Sequence, residues 1–443
     1  MTSTATAMSG DRPIPSVEQL AWADAEVGVI IHLDVQVFAP DYAFRRDWGR
    51  QPSATVFNPS HLDTDQWLEV AASSGARYAV LVAKHCSGFS LWPTAAHGYS
   101  VRSAPWRGGA GDVVADFVAS CKKFGLKAGL YYSTSCNAFC NVDSPGRERS
   151  GLADAQAAYN RVVEQQVSEL WTRYGEWFEL WFDGGVLSVM DGGCDVAGLL
   201  ARHQPRALLF QGPPECGNLL RWAGNEAGWA PPECWSTTDV LTAEDGTVSR
   251  DDLAGAADGR HWAPAEMDMP NRDQSRGYMD GWFWREGEDQ LVMDAETLFA
   301  RHLTTVGRNA NFLLGLPIDR FGRVPEADAA ALRGYGKLVG ERLGRPLGMV
   351  AEVTGNEVVL DLQGDRPVAY VDIMEDQRNG QIIRGWRLDA KRGWGWAPIA
   401  SGLGIGHRRI VATPHLLAES LRLTVTSAAG IPTIRQLAAY GPV

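Results

Sequence analysis

The sequence predicts an α/β fold: a distorted (β/α)8 TIM-like barrel followed by a C-terminal antiparallel β-sandwich. The first two-thirds of the chain alternates short apolar runs with amphipathic stretches, the pattern of buried parallel strands covered by helices. Eight strand-like runs occur there, the number that closes such a barrel. From about residue 345, apolar and polar residues alternate between turns, as in an antiparallel sheet. We therefore expect the barrel over residues 1–344 and the sandwich over residues 345–443.

The eight predicted barrel strands are apolar, and several end in a polar residue. They are Val27–His32, Tyr78–His85, Lys127–Ser133, Phe178–Asp183, Ala207–Gln211, Glu233–Ser236, His261–Glu266 and Asn311–Leu316. Three amphipathic helices are predicted over Asp112–Phe124, Asp154–Tyr174 and Val324–Leu343, the first with an N-cap aspartate and a glycine stop. Loops rich in Gly, Pro and Trp dominate residues 184–293, so we expect the barrel to be distorted there.

The predicted sandwich strands follow a different pattern, because apolar and polar residues tend to alternate within them. Turns that contain Gly, Asn or Asp separate several of these segments. The segments are Val350–Leu362, Val368–Met374, Gln381–Ala390, Gly395–Ser401, Arg409–Ala412 and Ser420–Thr426.

Composition and charge limit the classes of partner. The 443 residues include 53 acidic and 41 basic side chains, a formal net charge of −12. That balance disfavours a general nucleic-acid binder and docking on an anionic membrane. The N-terminal residues lack a secretory pattern, and the seven cysteines indicate reduced thiols. We expect a cytoplasmic protein that acts on a small-molecule or oligosaccharide substrate.

Polar residues at the strand ends are the main functional signal. In a (β/α)8 barrel the carboxyl ends of the strands form the active-site face. Carboxylates beside imidazoles and aromatic rings suit glycoside hydrolysis, in which one carboxylate attacks the sugar and a second carboxyl group protonates the leaving oxygen. The residues at or near these ends are His32, Asp34, Lys84, His85, Asp183, Gln211, Glu266 and the loop residue Glu226.

Asp183 is the strongest candidate for a reacting carboxylate. It follows the hydrophobic run Glu179–Phe182 and precedes two glycines that leave space above it. A carboxylate among aromatic rings must be hydrogen-bonded or used in chemistry. From spacing alone, an N-cap or a loop-bracing aspartate is an equally valid interpretation.

Two glutamates compete for the second role. Glu226 lies in a loop between Trp222 and Trp229, surroundings that raise the pKa of a general acid. A solvated loop glutamate is the alternative interpretation. Glu266 ends another predicted strand and is the rival candidate.

His32 and His85 each end a predicted strand, where they are either structural residues or ligands for sugar hydroxyls. Together with Asp34 and Asp183 they make a metal site chemically possible. The sequence has no recognised metal-ligand spacing, phosphate-binding loop, dinucleotide fingerprint or G-x-S-x-G elbow. We therefore expect neither a metal nor a cofactor.

Several of these segments resemble the α-L-fucosidases of glycoside hydrolase family 29, in order and over most of the chain. Glu179–Gly184 (ELWFDG) is similar to the nucleophile motif of that family, and the C-terminal sandwich resembles its appended domain. Other similar segments are Val27–His32, Tyr78–Val101, Gly111–Tyr131, Val306–Asp319 and Gly404–Ile410.

The resemblance implies a role for each matching position. Asp183 corresponds to the nucleophile, and Glu226 to the acid/base of the branch that cleaves α-1,3/1,4 linkages. Glu266 then resembles a binding or supporting residue, although the residues alone leave it a rival to Glu226. The resemblance also implies that His32 and His85 bind sugar hydroxyls and that Trp92 forms part of the pocket wall. With the strand-end and loop residues added, the expected substrate-binding set is His32, Asp34, Lys84, His85, Trp92, Trp222, Glu266 and Trp282.

The chain departs from the family pattern beside two of these positions. Leu33 and Asp34 stand where Trp-Gly is usual, and Cys86 and Ser87 stand where His-Asp is usual. A thiol cannot replace an imidazole as a strong hydrogen-bonding partner. We expect a retaining exo-glycosidase for terminal α-L-fucose or a related 6-deoxy sugar. The alternatives are a hydrolase of an unusual glycoside, such as a glycosylated natural product, and a non-hydrolytic sugar-binding protein.

Overall fold

The computed structural model describes residues 12–241, 253–393 and 395–443. Eight parallel strands form a closed barrel in which each strand pairs with its neighbours in sequence and the last pairs with the first. The expected barrel is thereby confirmed. The strands are Val27–His32 (β1), Tyr78–Lys84 (β2), Lys127–Tyr132 (β3), Glu179–Trp181 (β4), Leu208–Phe210 (β5), Leu219–Trp222 (β6), Ala265–Met269 (β7) and Ala310–Pro317 (β8).

Helices cover the barrel, and their ends follow the sequence signals. The helix over residues 113–124 begins where the side chain of Asp112 accepts from the Ala115 N–H, and it ends at Gly125 with φ +70°. The three predicted helices are confirmed to within two residues at each end. The helices are Val17–Ala23 (α1), Thr64–Ser73 (α2), Val113–Phe124 (α3), Ala153–Arg173 (α4), Val196–His203 (α5), Ala295–Thr304 (α6) and Glu326–Leu343 (α7). None of the helices in these described ranges has the length and apolarity to cross a membrane.

The sixth strand differs from the prediction. Glu233–Ser236 was expected in the barrel, but this prediction was wrong, because the four-residue strand β6 occupies that place. The Glu233 carboxylate accepts instead from the N–H groups of Leu403 and Gly404, which places this segment against the C-terminal sheet. The predicted strand His261–Glu266 is divided in the structure. Trp262 pairs with Thr237 in a separate two-stranded antiparallel sheet, and β7 begins at Ala265.

The barrel is irregular where the sequence predicts it. Residues 211–218 connect β5 to β6 as an eight-residue loop with neither helix nor strand. β4 and β5 contain three residues each. A long loop between β6 and β7 carries Glu226, while β7 is followed by a loop that carries Trp282.

The C-terminal strands form one six-stranded antiparallel sheet in the order β9-β14-β10-β13-β11-β12. Bulges interrupt the two long central strands β10 and β13, each of which unites segments predicted as separate strands. The apolar side chains form one buried cluster that includes Val371, Leu388, Leu421 and Leu437, so the sheet encloses its own core. The strands are Gly348–Thr354 (β9), Glu357–Glu375 (β10), Ile383–Arg392 (β11), Gly395–Gly402 (β12), Arg409–Ala428 (β13) and Thr433–Tyr440 (β14).

A buried ion-pair cluster joins this sheet to the barrel. Arg408 contacts Glu26, just before β1, at 2.6 Å and Asp372 in β10 at 2.9 Å. Burial raises the pKa of Glu26, but the charge of Arg408 and a hydrogen bond from His407 outweigh it and lower that pKa to about 2. The cluster therefore fixes the sheet to the end of the barrel at which β1 begins.

Candidate active site

A cleft of about 200 Å³ lies at the carboxyl ends of the barrel strands. The strand residues in its walls are Ile30 and His32 from β1, Tyr131 from β3, Trp181 from β4 and Asp268 from β7. The loops add Phe44, Arg45, His85, Cys86, Asp183, Glu226, Met279, Asp280, Trp282 and Phe283. The cleft therefore contains four carboxyl groups, two imidazoles and several apolar side chains.

Asp183 lies two residues beyond β4 and is held from both its side chain and its backbone. The Tyr131 hydroxyl donates to Asp183 Oδ2 at 2.7 Å, and the Ser135 hydroxyl donates to the Asp183 carbonyl at 2.5 Å. Gly184 has φ +73°, and a Cβ there would lie 2.8 Å from Ser135 Oγ, so this turn requires glycine. Burial raises the pKa of Asp183, while Tyr131 and the positive charges of Arg45 and Lys84 lower it.

Glu226 lines the same cleft in an acidic environment. Its Oε2 accepts from the indole N–H of Trp282 and the amide of Gln274, each at 3.3 Å. Burial raises the pKa of Glu226, the Trp282 hydrogen bond lowers it, and the negative charges of Asp183 and Asp280 raise it. A carboxyl group in these surroundings keeps its proton more readily than an exposed glutamate, as a general acid requires.

The two histidines are neutral hydrogen-bonding groups. Burial lowers the pKa of His32 to about 3, and its ring lies 5.0 Å from that of Trp282. Burial, together with the nearby His32 and Lys84, also holds the pKa of His85 well below its usual range. The His85 ring stacks on Tyr131 with 5.8 Å between the ring centres. A neutral imidazole offers one donor and one acceptor, which suits a sugar hydroxyl.

Trp222 and Asp268 act as a pair on the far wall of the cleft. The Trp222 indole N–H donates to Asp268 Oδ1 at 2.6 Å. Burial and the nearby charge of Glu226 raise the pKa of Asp268 well above its usual range. Asp268 lines the cleft, so Trp222 contributes by orienting that carboxyl group.

Glu266 lies inside the barrel, below the cleft, and does not line it. Its two carboxyl oxygens accept from the Tyr78 hydroxyl at 2.6 Å and the Trp181 indole at 2.9 Å. Burial raises the pKa of both Glu266 and its neighbour Glu179; the charge of Glu266 raises the pKa of Glu179 further, whereas a hydrogen bond from Glu179 lowers that of Glu266, so the shared proton resides on Glu179. Glu266 therefore supports the ring of Trp181 and has no access to a glycosidic oxygen in the cleft.

Asp34, Lys84 and Trp92 also lie outside the cleft lining, although all three were expected to bind substrate. Asp34 accepts from the Val35 N–H at 2.7 Å and the Ser87 hydroxyl at 2.8 Å, and burial raises its pKa to about 7. Lys84 donates to the Ser133 carbonyl and to the Cys136 carbonyl, the latter at 3.1 Å. These contacts brace the loops that follow β1, β2 and β3.

Trp92 is fully buried, and its indole N–H donates to Glu169 of α4 at 2.8 Å. Trp92 was expected to form part of the pocket wall. Other aromatic residues form the wall instead, among them Phe44, Trp181 and Phe283. Leu33, one of the residues that depart from the family pattern, is likewise buried in the core.

Several residues of the lining were not predicted from the sequence. Tyr131 is near the end of a predicted strand, a position that could have been read as pointing to the site. Asp268 was missed because the predicted strand stopped at Glu266, three residues before the observed end of β7 at Met269. Arg45 belongs to a loop with no periodic pattern, so its position in the cleft had no sequence signal.

Comparisons with known proteins agree on one family. A family model described as alpha-L-fucosidase matches residues 19–341. Alpha-L-fucosidase 1 of Arabidopsis thaliana is 30% identical over an alignment that covers 97% of this chain and 87% of that protein. Both similarities include the strands that carry the cleft.

Solved structures show the same similarity in three dimensions. A Bacteroides thetaiotaomicron protein described as a candidate alpha-L-fucosidase is 33% identical, with a TM-score of 0.89 over 98% of this chain and 100% of that one. A glycoside hydrolase 29 family member from an unknown rumen bacterium is 29% identical, with a TM-score of 0.80 over 98% of this chain and 78% of that one. The barrel and the C-terminal sheet are thus both shared with these proteins.

Proposed function

The chain belongs to the α-L-fucosidase family, glycoside hydrolase family 29, and from this premise we propose that it is a retaining exo-glycosidase. Its substrate is a terminal α-L-fucosyl group or a closely related 6-deoxy sugar. The observation that carries the proposal is the pair of carboxyl groups in one cleft, whose surroundings differ. The Asp183 carboxylate accepts a hydrogen bond from Tyr131 and lies near the positive charge of Arg45. The carboxyl group of Glu226 lies near the negative charges of Asp183 and Asp280.

In the first half of the reaction, an Asp183 oxygen attacks the anomeric carbon and the glycosidic bond breaks. Glu226 gives its proton to the departing oxygen, which leaves as an alcohol. The Tyr131 hydrogen bond holds one oxygen of Asp183 and leaves the other free to attack. The product of this half is a covalent sugar ester on Asp183.

In the second half, Glu226 acts as a base. Its carboxylate removes a proton from water, the water attacks the anomeric carbon, and the ester bond to Asp183 breaks. Both carboxyl groups return to their starting protonation states. Two displacements at one carbon give net retention, so the sugar is released first as the α anomer.

The cleft lining supports a 6-deoxy sugar. His32 and His85 supply neutral donors and acceptors for hydroxyl groups. Ile30, Phe44 and Phe283 supply apolar surface for a methyl group, which a sugar with a hydroxyl at C6 would bury less favourably.

A test combines a panel of α-L-fucosides, including α-1,3/1,4-branched oligosaccharides, with variants of Asp183. We expect the unchanged protein to release α-L-fucose first by NMR and Asp183→Ala to be inactive. Azide takes the space of the lost carboxylate in Asp183→Gly, so that variant is expected to form β-fucosyl azide. Glu215→Ala, which changes an exposed acidic residue outside the cleft lining, is the matched control.

Release of the β anomer, or release that survives loss of Asp183, would contradict the proposal. Binding of fucose without turnover would favour the non-hydrolytic alternative. A preference for α-1,3/1,4-branched substrates would place the enzyme in the branch that its Glu226 loop resembles.

A second candidate is a hydrolase of the same mechanism that acts on an unusual glycoside. The Cys86 thiol in the cleft wall favours this candidate, because a thiol is a weak hydrogen-bonding partner for a sugar hydroxyl. Cleavage of other deoxyglycosides, with fucosides inert, would support it.

A further inference from the structure

Three metal-ligating side chains of different kinds meet in the wall of the cleft. One ligand atom each of His85, Cys86 and Asp183 lie within 4.8 Å of one another. Around a tetrahedral Zn²⁺, such atoms are about 3.3–3.6 Å apart, given metal–ligand distances of about 2.0–2.3 Å. Side-chain rotations that move these atoms by about 1 Å would therefore complete a three-residue site.

Two of the three side chains have a ligand atom without a hydrogen-bond partner among the described residues, and the third, Cys86, bonds to Cys136. His85 Nδ1 is buried and has no hydrogen-bond partner among the described residues. Tyr131 donates to Oδ2 of Asp183, and no described residue forms a hydrogen bond with the other oxygen. Imidazole, thiolate and carboxylate are all zinc ligands, and the thiolate selects soft or borderline ions.

Oxygen donors outnumber cationic side chains in the cleft. Asp183, Glu226, Asp268 and Asp280 line it, against Arg45 as the single cationic side chain in the described lining. The Lys84 ammonium lies behind the wall, bonds to backbone carbonyls and is not part of the cleft lining. Binding would transfer the thiol proton to solvent as the metal–sulfur bond forms.

We propose that His85, Cys86 and Asp183 form an inhibitory site for a borderline or soft divalent cation such as Zn²⁺. The metal occupies the oxygen of Asp183 that attacks the sugar, so bound Zn²⁺ and substrate exclude each other. Metal binding stands on the geometry alone, whereas the inhibition rests on the proposed hydrolase function.

The test uses the full chain, reduced and freed of metal with a chelator. Calorimetry with Zn²⁺ is expected to show about one ion and about one released proton per chain, the latter from the dependence of the enthalpy on buffer. Co²⁺ is expected to give a thiolate-to-metal absorption band. Cys86→Ser is expected to lose that band and to bind Zn²⁺ at least about 10–100-fold more weakly. Loss of a residue that only hydrogen-bonds to a metal ligand already lowers metal affinity by this factor.

Cys216→Ser is the matched control, because Cys216 is a half-buried free thiol outside the cleft lining. Asp183→Asn, close in shape to the parent, is a second variant that removes a ligand without removing the thiol. In fucoside hydrolysis, Zn²⁺ is expected to inhibit the parent competitively, and a chelator is expected to restore activity.

Equal Zn²⁺ binding by the parent, Cys86→Ser and Asp183→Asn would overturn the inference, as would no binding at all. Hydrolysis of fucosides with no Zn²⁺ binding would leave the proposed function intact and refute only the metal site. Cys86-dependent Zn²⁺ binding by a protein that cleaves no glycoside would support the site and refute only the function.

Discussion

The hydroxyl of Tyr131 donates to Oδ2 of Asp183 at 2.7 Å, and this contact links the ends of β3 and β4 at the floor of the cleft. The hydrogen bond orients the carboxylate and favours its ionised form. It therefore affects both the orientation of the Asp183 carboxylate and the pH range in which that group is charged.

Tyr131→Phe is expected to lower kcat/KM for fucosides by about 10–100-fold, because a buried charged group loses a hydrogen bond worth about 1.5–3 kcal/mol. Without the donor, the pKa of Asp183 rises, so the acidic limb of the pH–rate profile is expected to move to higher pH. Tyr132→Phe is the control, since the Tyr132 hydroxyl bonds to Gln166 away from the cleft. An unmoved acidic limb in Tyr131→Phe would contradict this role.

Glu226→Gln and Glu266→Gln are expected to separate the two candidate acids. Glu226→Gln removes the proton donor, so we expect a loss of about 10²–10⁴-fold on oligosaccharides and a much smaller loss on an aryl fucoside with an acidic leaving group. Glu266→Gln is expected to reduce both activities equally, because Glu266 acts through Trp181. The measurement is the rate of each variant on oligosaccharides and on the aryl fucoside. If only Glu266→Gln lost more activity on oligosaccharides than on the aryl fucoside, Glu266 would be the acid instead of Glu226.

Asp280→Asn is expected to change the basic limb of the pH–rate profile. The negative charge of Asp280 raises the pKa of Glu226, so its removal lets that group lose its proton at lower pH. The basic limb of kcat/KM then moves to lower pH, while the acidic limb stays in place. Asp273→Asn, in the same loop but outside the cleft lining, is the control. If the basic limb lay at the same pH in the parent, Asp280→Asn and Asp273→Asn, the predicted effect of Asp280 on the pKa of Glu226 would be refuted.

Glu26→Gln is expected to remove an acid-sensitive part of the stability. The pKa of Glu26 is lowered from 4.5 to about 2 in the folded protein, so its ionised form stabilises the fold above pH 4.5. That contribution, about 3 kcal/mol from the size of the shift, declines as the pH falls from 4.5 toward 2. Thermal unfolding of parent and variant from pH 7 to pH 3 is expected to show a difference that shrinks with acidity. A difference independent of pH would contradict the assignment.

The sequence predicts the barrel well because long apolar runs such as Tyr78–Lys84 need both faces buried. It predicts β6 poorly, because the four residues Leu219–Trp222 are too few to show a hydrophobic pattern. The segment Glu233–Ser236 has the apolar composition of a strand but contacts the C-terminal sheet instead. In the site, Asp183 was identifiable because a hydrophobic strand leads to it.

Other site residues depend on distances that no spacing encodes. A shift of two residues separates Glu266 inside the barrel from Asp268 in the cleft, because alternate residues of a strand occupy successive layers. Trp92 and Lys84 lie close to His85 in sequence, yet their side chains bond to other elements behind the wall. Arg45 reaches the cleft only through the path of an irregular loop.

The segment between Trp222 and Ser236 carries Glu226 and then contacts the C-terminal sheet. There the Arg409 guanidinium donates to the Pro232 carbonyl at 2.6 Å, and Gly404 N–H bonds to the Glu233 carboxylate. Asp183 has no such anchor, because it extends directly from β4. A chimera in which the sheet is replaced by that of a relative would thus keep Asp183 in place and misalign Glu226. The barrel and the sheet can therefore be recombined only together with this loop.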